Sequence, residues 1–364
     1  MQKAFEHFPD AWLGCFGHNL NLAVSKILNL KRVESAVRAC RHLVQEFSRS
    51  WKRRRELKVK QTALQLPVKS LIHDVVTRWG STFQMLERFL SQQQAISATL
   101  AGERGAWHLM PKETDLSVMG QVCELLGPLS QFTDALSTET SVTLSTLKPV
   151  LEHIKTEILI QSNDDPPLIT QMKKTMREDL DSRYSEKALK MMDIACFIDP
   201  RFKGNFSENL VDIVSITVQE ALRLVPVNVR QEPPAEMTSR PISTSTLDKA
   251  STHGLTGLLK KITATRQQRT EEQSTIEDQV KAEVKIYMCL PSVETEEDPL
   301  LWWGGHAGEL PHLSRIARRF LCIPATSVPS ERIFSASGSI VTPHRARLNP
   351  EKVNMLTFLH FNLP

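Results

Sequence analysis

No Cys-x-x-Cys pair occurs in this sequence; its six cysteines, Cys15, Cys40, Cys123, Cys196, Cys289 and Cys322, lie far apart. That scatter excludes a zinc ribbon and a disulfide framework, and it points to a reducing compartment, cytosol or nucleus. Long hydrophobic runs are missing too: none nears the roughly 20 residues a membrane span needs, so no membrane partner is expected. The opening stretch MQKAFEHFPDAWLGCF has neither a basic head followed by an apolar segment nor a small-residue cleavage site, so no secretory leader is expected. Charge of one sign is scarce; a net +4 over 364 residues permits nucleic-acid contact without demanding it. Alternating strand patterns are rare and no internal repeat stands out. With 41% hydrophobic and 24% charged residues, the composition is that of a globular chain and gives no sign of bulk disorder.

What is present is helical periodicity. Apolar residues recur at Leu20, Val24, Ile27, Leu30, Val33, Val37, Cys40, Val44 and Phe47, predicting one long amphipathic helix with a buried stripe. The stretch SRSWKRRRELKVKQ follows, with Arg49, Lys52, Arg53, Arg54, Arg55, Lys58 and Lys60 around Trp51 and no matching apolar face. It reads as a phosphate-binding strip driven by counterion release, a solvated linker or a nuclear-import signal. From about Ser70 to Leu224 helical runs dominate. Pro226, Pro233, Pro234 and Pro241 then sit among polar residues and predict a linker from Val225 to about His253. A polar helical segment and the acidic ETEEDP lead into a final block from Leu300 to Pro364.

Four patterns, in this order, resemble the hAT DNA transposases and the BED-finger proteins descended from them. They are LGCFGHNLNLAVSKIL with Cys15 and His18, DVVTRWGSTFQMLERFL with Asp74, Arg78 and Trp79, ACFIDPRFK from Ala195 to Lys203, and the block from DPLLWW through LPHLSRIARRFLCIPATSVPSERIFSASGSIVTPHRARLNPEKVNMLTFLHFNL. The last is similar to the family's dimerisation region over dozens of consecutive positions. The resemblance implies a mainly α chain holding an incomplete RNase H-like α/β core interrupted by a large all-helical insertion. On this basis residues 1–48 are a remnant of that core, 49–69 a basic connector and 70–224 the insertion. Residues 225–280 are linker and polar helix, partly disordered, and 281–364 are the dimerisation region that closes the core.

RNase H-like transposases hold two divalent metals, commonly Mg²⁺, on three carboxylates that flank an in-line displacement. The resemblance maps the third acid onto Glu331 and puts the first two on strands upstream of Cys15; Asp10, a few residues before Cys15 and beside a turn-forming proline, is not taken as a substitute. One glutamate cannot hold two Mg²⁺ against their hydration. The expectation is therefore a chain that is not an enzyme by itself and needs no cofactor, Mg²⁺ entering only in a complete enzyme. Glu331 then reads as a helix-surface carboxylate paired with Arg332 or another base. Cys15 and His18 lack a second ligand pair for zinc, so no metal site is expected; the resemblance puts His18 near DNA phosphate, and the plain alternative is a hydrogen-bonded histidine at a helix start. Arg78 and Trp79 suit a phosphate and an unpaired base, respectively, although a tryptophan in an amphipathic helical region is more often core than contact. Arg53, Arg54 and Arg55 complete the DNA-contact candidates.

Leu313, Ile316, Ala317, Phe320 and Leu321 mark one apolar helical face, and Val353, Leu356, Thr357, Leu359 and His360 belong to another helix. With Trp302 and Trp303 nearby, these surfaces need a cover, either from within the chain or from a partner. The resemblance favours a partner, giving Trp302, Trp303, Ile316, Phe320, Leu356 and Leu359 as the dimerisation candidates. The expected function is a nuclear, transposase-derived protein that forms homodimers, or heterodimers with related hAT-derived chains, and touches DNA without sequence preference. Two other readings stand beside it: a shortened version of an active transposase or of a BED-finger transcription regulator, and a fragment that never folds stably because half an RNase H-like sheet leaves an uncovered edge and an exposed face.

Overall fold

The computed structural model describes residues 13–224, 275–342, 345 and 347–363. The expected linker from Val225 to about His253, and Asp10, lie outside the described residues. Among the described residues every regular element is helical and none is a strand, as the mainly α reading requires. The chain forms two compact units: the described residues up to Met192 together with those from Pro324 onward, and those from Asp193 to Ile323. The block from Leu300 to Pro364 is thus divided between them, so it is not a single packed region.

In the first unit, α1 (Phe16–Leu28) and α2 (Lys31–Arg49) replace the single helix expected over Leu20 to Phe47. The break falls at Leu30, whose extended backbone (ψ 128°) starts α2 in a new direction while the apolar pattern runs on through it. Phe16, Leu20, Ala23, Val24 and Ile27 are fully buried, and α1 packs on α8 (Pro167–Ser182). Val33, Val37, Cys40, Leu43, Val44 and Phe47 give α2 a buried stripe facing α4 (Trp79–Ser91) and α6 (Glu113–Leu136). The basic stretch is not a connector: it forms α3 (Trp51–Ala63), capped by the Ser50 hydroxyl on the Arg53 N–H. Its side chains bury only at Leu57 and Gln61, and it packs on α5 (Gln93–Ala101). α7 (Leu144–His153) continues into one π turn, Ile154–Ile158, and α9 (Glu186–Ile198) carries the chain into the second unit.

The second unit gathers α10 (Leu210–Leu224), α11 (Ile276–Cys289), α12 (Pro299–His306) and α13 (Pro311–Leu321) around Phe197, Tyr287 and Trp303. The ACFIDPRFK pattern is its lock. Asp199 is fully buried and takes two hydrogen bonds from the Arg201 guanidinium (3.0 and 2.7 Å). Lys203, at φ 48°, sends its ammonium to the carbonyls of Tyr287 (2.9 Å), Leu290 and Pro291 (3.2 Å). Burial depresses the affinity of that ammonium for its proton, and three carbonyl acceptors replace the water it lost. A second fastening spans α11 and α13. Leu310 gives α13 no side-chain cap, so the Glu283 carboxylate accepts from the His312 and Leu313 N–H groups (2.9 Å each). A negative charge at an open helix N-terminus satisfies donors the helix itself leaves bare.

Candidate association surface

Beyond Ile323 the chain returns to the first unit through the strap Pro324 to Ser327. Phe16 N–H donates to the Ala325 carbonyl, and Ala325 N–H donates to Thr143 Oγ1 (2.9 Å each). Ser327 N–H donates to Cys15 Sγ (3.2 Å). Ala325 and Thr326 are buried, so the base of the following helix is fixed. From it rise α14 (Val328–Ile340) and α15 (Pro350–Asn362), which pack on each other and are joined by the Ser337 and Thr357 hydroxyls at 3.0 Å. Asn349 caps α15 through the Glu351 N–H, and Pro350 fills its first position.

This helix pair is unlike the rest of the molecule. None of the residues in α14 is buried, and in α15 only Thr357 is. Its large apolar side chains face solvent: Phe334 is 71% exposed, Phe358 and Met355 64% each, and Ile333, Leu356, Leu359, Phe361 and Leu363 are exposed as well. So extensive an apolar surface on a folded chain marks a contact still to be made. Of the expected dimerisation residues, Leu356 and Leu359 belong to this surface.

The other four do not. Trp303 is 4% exposed, donates its indole N–H to the Ile198 carbonyl (2.9 Å) and stacks on Tyr287 at 5.4 Å between ring centroids. Ile316 and Phe320 are buried in the same core. Trp302 is half-buried, stacked on His306 at 3.9 Å and edge-on to Tyr287. The cover for these side chains comes from within their own unit. Phe334, Met355 and Phe358 were missed, although MLTFLHF carried a signal: apolar residues on more than one side of a helix cannot all meet one internal face.

The first and last motifs meet at the strap. Cys15 and Glu331 both bond to Ser327, the second through Ser327 Oγ to Glu331 Oε1 (2.7 Å), and Asn21 of α1 accepts from the Trp79 N–H (3.2 Å). Glu331 is exposed and is not paired with Arg332, which reaches Glu139 at 3.4 Å instead. Among the described residues no group of three or more His, Cys, Asp or Glu side chains could hold a metal ion. Among the described residues Glu331 therefore belongs to no cluster of acids that would fit a pair of Mg²⁺ ions. Cys15 and His18 do not form a ligand pair either, the thiol accepting from Ser327 while His18 is exposed.

Asp74, the acid of the second pattern, has a structural partner. It takes two hydrogen bonds from Arg41 (2.9 and 2.6 Å) and one from Thr82 (3.0 Å). Burial pushes its pKa up, but those bonds and the Arg41 charge prevail and hold the carboxyl below the usual range. Trp79 is 6% exposed and caps the core, so the stacking role expected for it has no free indole face; Arg78 beside it is exposed. Arg53 is engaged by Glu103 (2.8 and 2.9 Å) and Glu46 (3.2 Å), whereas Arg54 and Arg55 are exposed.

Three family models match in sequence order. Residues 13–125 match the ZBED1 RNase-like helical domain, 147–226 the RNase-H fold of hAT-like transposases, and 283–363 the hAT family C-terminal dimerisation region. The chain is 29% identical to human zinc finger BED domain-containing protein 4 over 96% of its length, and 24% identical to human zinc finger BED domain-containing protein 6 over 99%. It is 26% identical to a putative AC transposase of Zea mays over 79%. It spans only 29%, 38% and 36% of those three proteins, respectively. An RNase H-like core carrying a helical insertion accounts for the order of the first two matches, and the third covers the exposed helix pair. Laid end to end, these matches make the chain similar along most of its length to the hAT transposases and to zinc finger BED domain-containing proteins.

Proposed function

We propose that this chain is an association segment: two copies pair through the apolar face of α14 and α15, and the segment contributes no metal chemistry of its own. The observation that carries the proposal is the solvent-facing set of Phe334, Met355, Phe358 and Leu359 within the stretch that matches a dimerisation region. Aromatic and aliphatic anchors of this kind supply most of the energy of protein association. The purified chain is expected to sediment as a dimer. Phe334→Asp with Phe358→Asp shifts it to monomer, raising Kd by about 100-fold or more, because each charge is buried unpaired. A monomeric wild type rejects the proposal, and a mixed complex formed only with a related hAT-derived chain replaces the homodimer by a heterodimer.

The DNA side of the proposal rests on exposed basic side chains. Arg54, Arg55, Arg78 and His18 face solvent. Contacts of this kind go to phosphates, so the binding they supply is without sequence preference and falls steeply with salt. A DNA-contacting role puts the chain in the nucleus. Among the described residues no helix is long and apolar enough to cross a membrane. Incubation of the chain with DNA and Mg²⁺ or Mn²⁺ is expected to give no cleavage; cleavage that Glu331→Gln abolishes contradicts the non-catalytic reading.

A further inference from the structure

The face of α3 that misses the core overlooks a cleft of about 350 Å³, bounded by the end of α2, α3 itself and the loop at Lys69 to Leu71. Its volume lies near the lower end of the roughly 300–1,000 Å³ typical of small-ligand sites. Trp51, Arg54 with Arg55, and Lys58 stand one turn apart, so they share one side of the helix. Lys69 faces them from the loop, and among the described residues no acidic side chain lines the cleft. Of the nearby cations, Arg53 and Lys60 are matched to carboxylates. Arg54, Arg55, Lys58 and Lys69 have no such partner among the described residues.

The walls are fixed. Gln61 is fully buried and donates to the Lys69 carbonyl (2.7 Å) and to Gln92 Oε1 (2.8 Å). Arg88 donates to the Ser70 carbonyl (2.9 Å), and His73 bonds Ser48 Oγ (2.7 Å). The loop bearing Lys69 is thereby tied to α2, α3 and α4. The Gln61 Oε1 is buried without a hydrogen-bond partner among the described residues. At the lip, Trp51 is 65% exposed. An indole held in water beside four unpaired cations has the two features that single-stranded nucleic acid requires, a flat face for a base and a track for phosphates. A duplex offers the second alone, since its bases are already stacked.

We propose that this cleft binds single-stranded nucleic acid, one base lying on Trp51 and the flanking phosphates on Arg54, Arg55, Lys58 and Lys69. The proposal deepens the DNA-contact reading above and rests on it. It is tested on the full chain by fluorescence anisotropy with a labelled oligothymidylate of about 16 nucleotides and a duplex of equal length. Trp51→Ala is expected to weaken single-strand binding roughly tenfold and leave duplex binding unchanged, with Trp51→Phe restoring most of the loss. Arg54→Ser with Arg55→Ser and Lys58→Ser weakens both and flattens the salt dependence. Circular dichroism checks that each variant keeps its helices. If Trp51→Ala has no effect on single strands, or polyglutamate displaces the oligonucleotide as readily as unlabelled oligothymidylate does, the cleft is a general acidic-ligand site; the inference fails while DNA contact stands. Binding of neither nucleic acid overturns both.

Discussion

The two apolar helices near the C-terminus, α13 and α15, differ in how their apolar residues are arranged, and that difference decides what covers them. In α13 they fall at 313, 316, 317, 320 and 321, one stripe at helical spacing, and all five are buried inside their own unit. In α15 they fall at 353, 355, 356, 358, 359 and 361, more than one face can satisfy, and most stay in solvent. A single stripe finds an internal partner, whereas an apolar surface spread around a short helix is left uncovered by the described residues and is the one proposed for pairing. Trp302 and Trp303 lie on the first side of this division despite their size. Their aromatic neighbours Tyr287 and His306, and the Ile198 carbonyl, complete them within the second unit.

The sharpest way to break this comparison is to cut into the α13 side. Trp303→Ala removes a buried indole and its hydrogen bond, and is expected to destabilise the second unit by about 3–5 kcal/mol, read as a lower urea midpoint, with pairing through α15 unaffected in whatever remains folded. Dissociation without destabilisation would put Trp303 back at an interface. A smaller effect is expected from Glu283→Ala, which strips α13 of the carboxylate capping its N-terminus: a loss of about 1–3 kcal/mol, which Glu283→Gln recovers in part. Faster exchange of the His312 and Leu313 amides would report the same change locally.

Acid separates the units in another way. The Asp74 and Asp179 carboxyls of the first unit titrate below the usual range; burial pushes each up, but Arg41 and Thr82 on one, and Arg183 and Lys26 on the other, outweigh it. A carboxyl whose pKa is depressed by folding stabilises the fold above its unfolded value, about 3.9, and that stability is lost as pH falls through the lower folded value. The first unit is thus expected to weaken below about pH 4, with Arg41→Ala flattening the dependence. The smallest effect belongs to Trp302→Ala: half-buried and stacked on His306 alone at close range, it should cost modest stability and leave the sedimentation coefficient unchanged.

Much of the architecture was legible in the sequence because helical spacing reports burial directly. The stripe from Val33 to Phe47 and the α13 face both bury as their periodicity requires. The break at Leu30 was not legible, since the apolar rhythm crosses it undisturbed. Nor was the helicity of the Trp51 stretch: its good helix formers outweigh the absence of an apolar face, and only Leu57 and Gln61 tie it down. Site residues fared according to how far their partners lie along the chain. Arg53 looked like a free cation because Glu103, which holds it, is 50 residues away. Trp303 looked like an anchor for another molecule because the Ile198 carbonyl is 105 residues away. Long-range pairings of this kind leave no local pattern. The Glu331 environment was not legible: its bond to Ser327, in place of a pairing with Arg332, emerges only from the fold.

The most direct measurement is sedimentation equilibrium on three proteins side by side: wild type, Phe334→Asp with Phe358→Asp, and Trp302→Ala. The account expects dimer, monomer and dimer, in that order. A wild type that stays monomeric at high concentration, or a tryptophan variant that dissociates while the phenylalanine variant holds together, would contradict it.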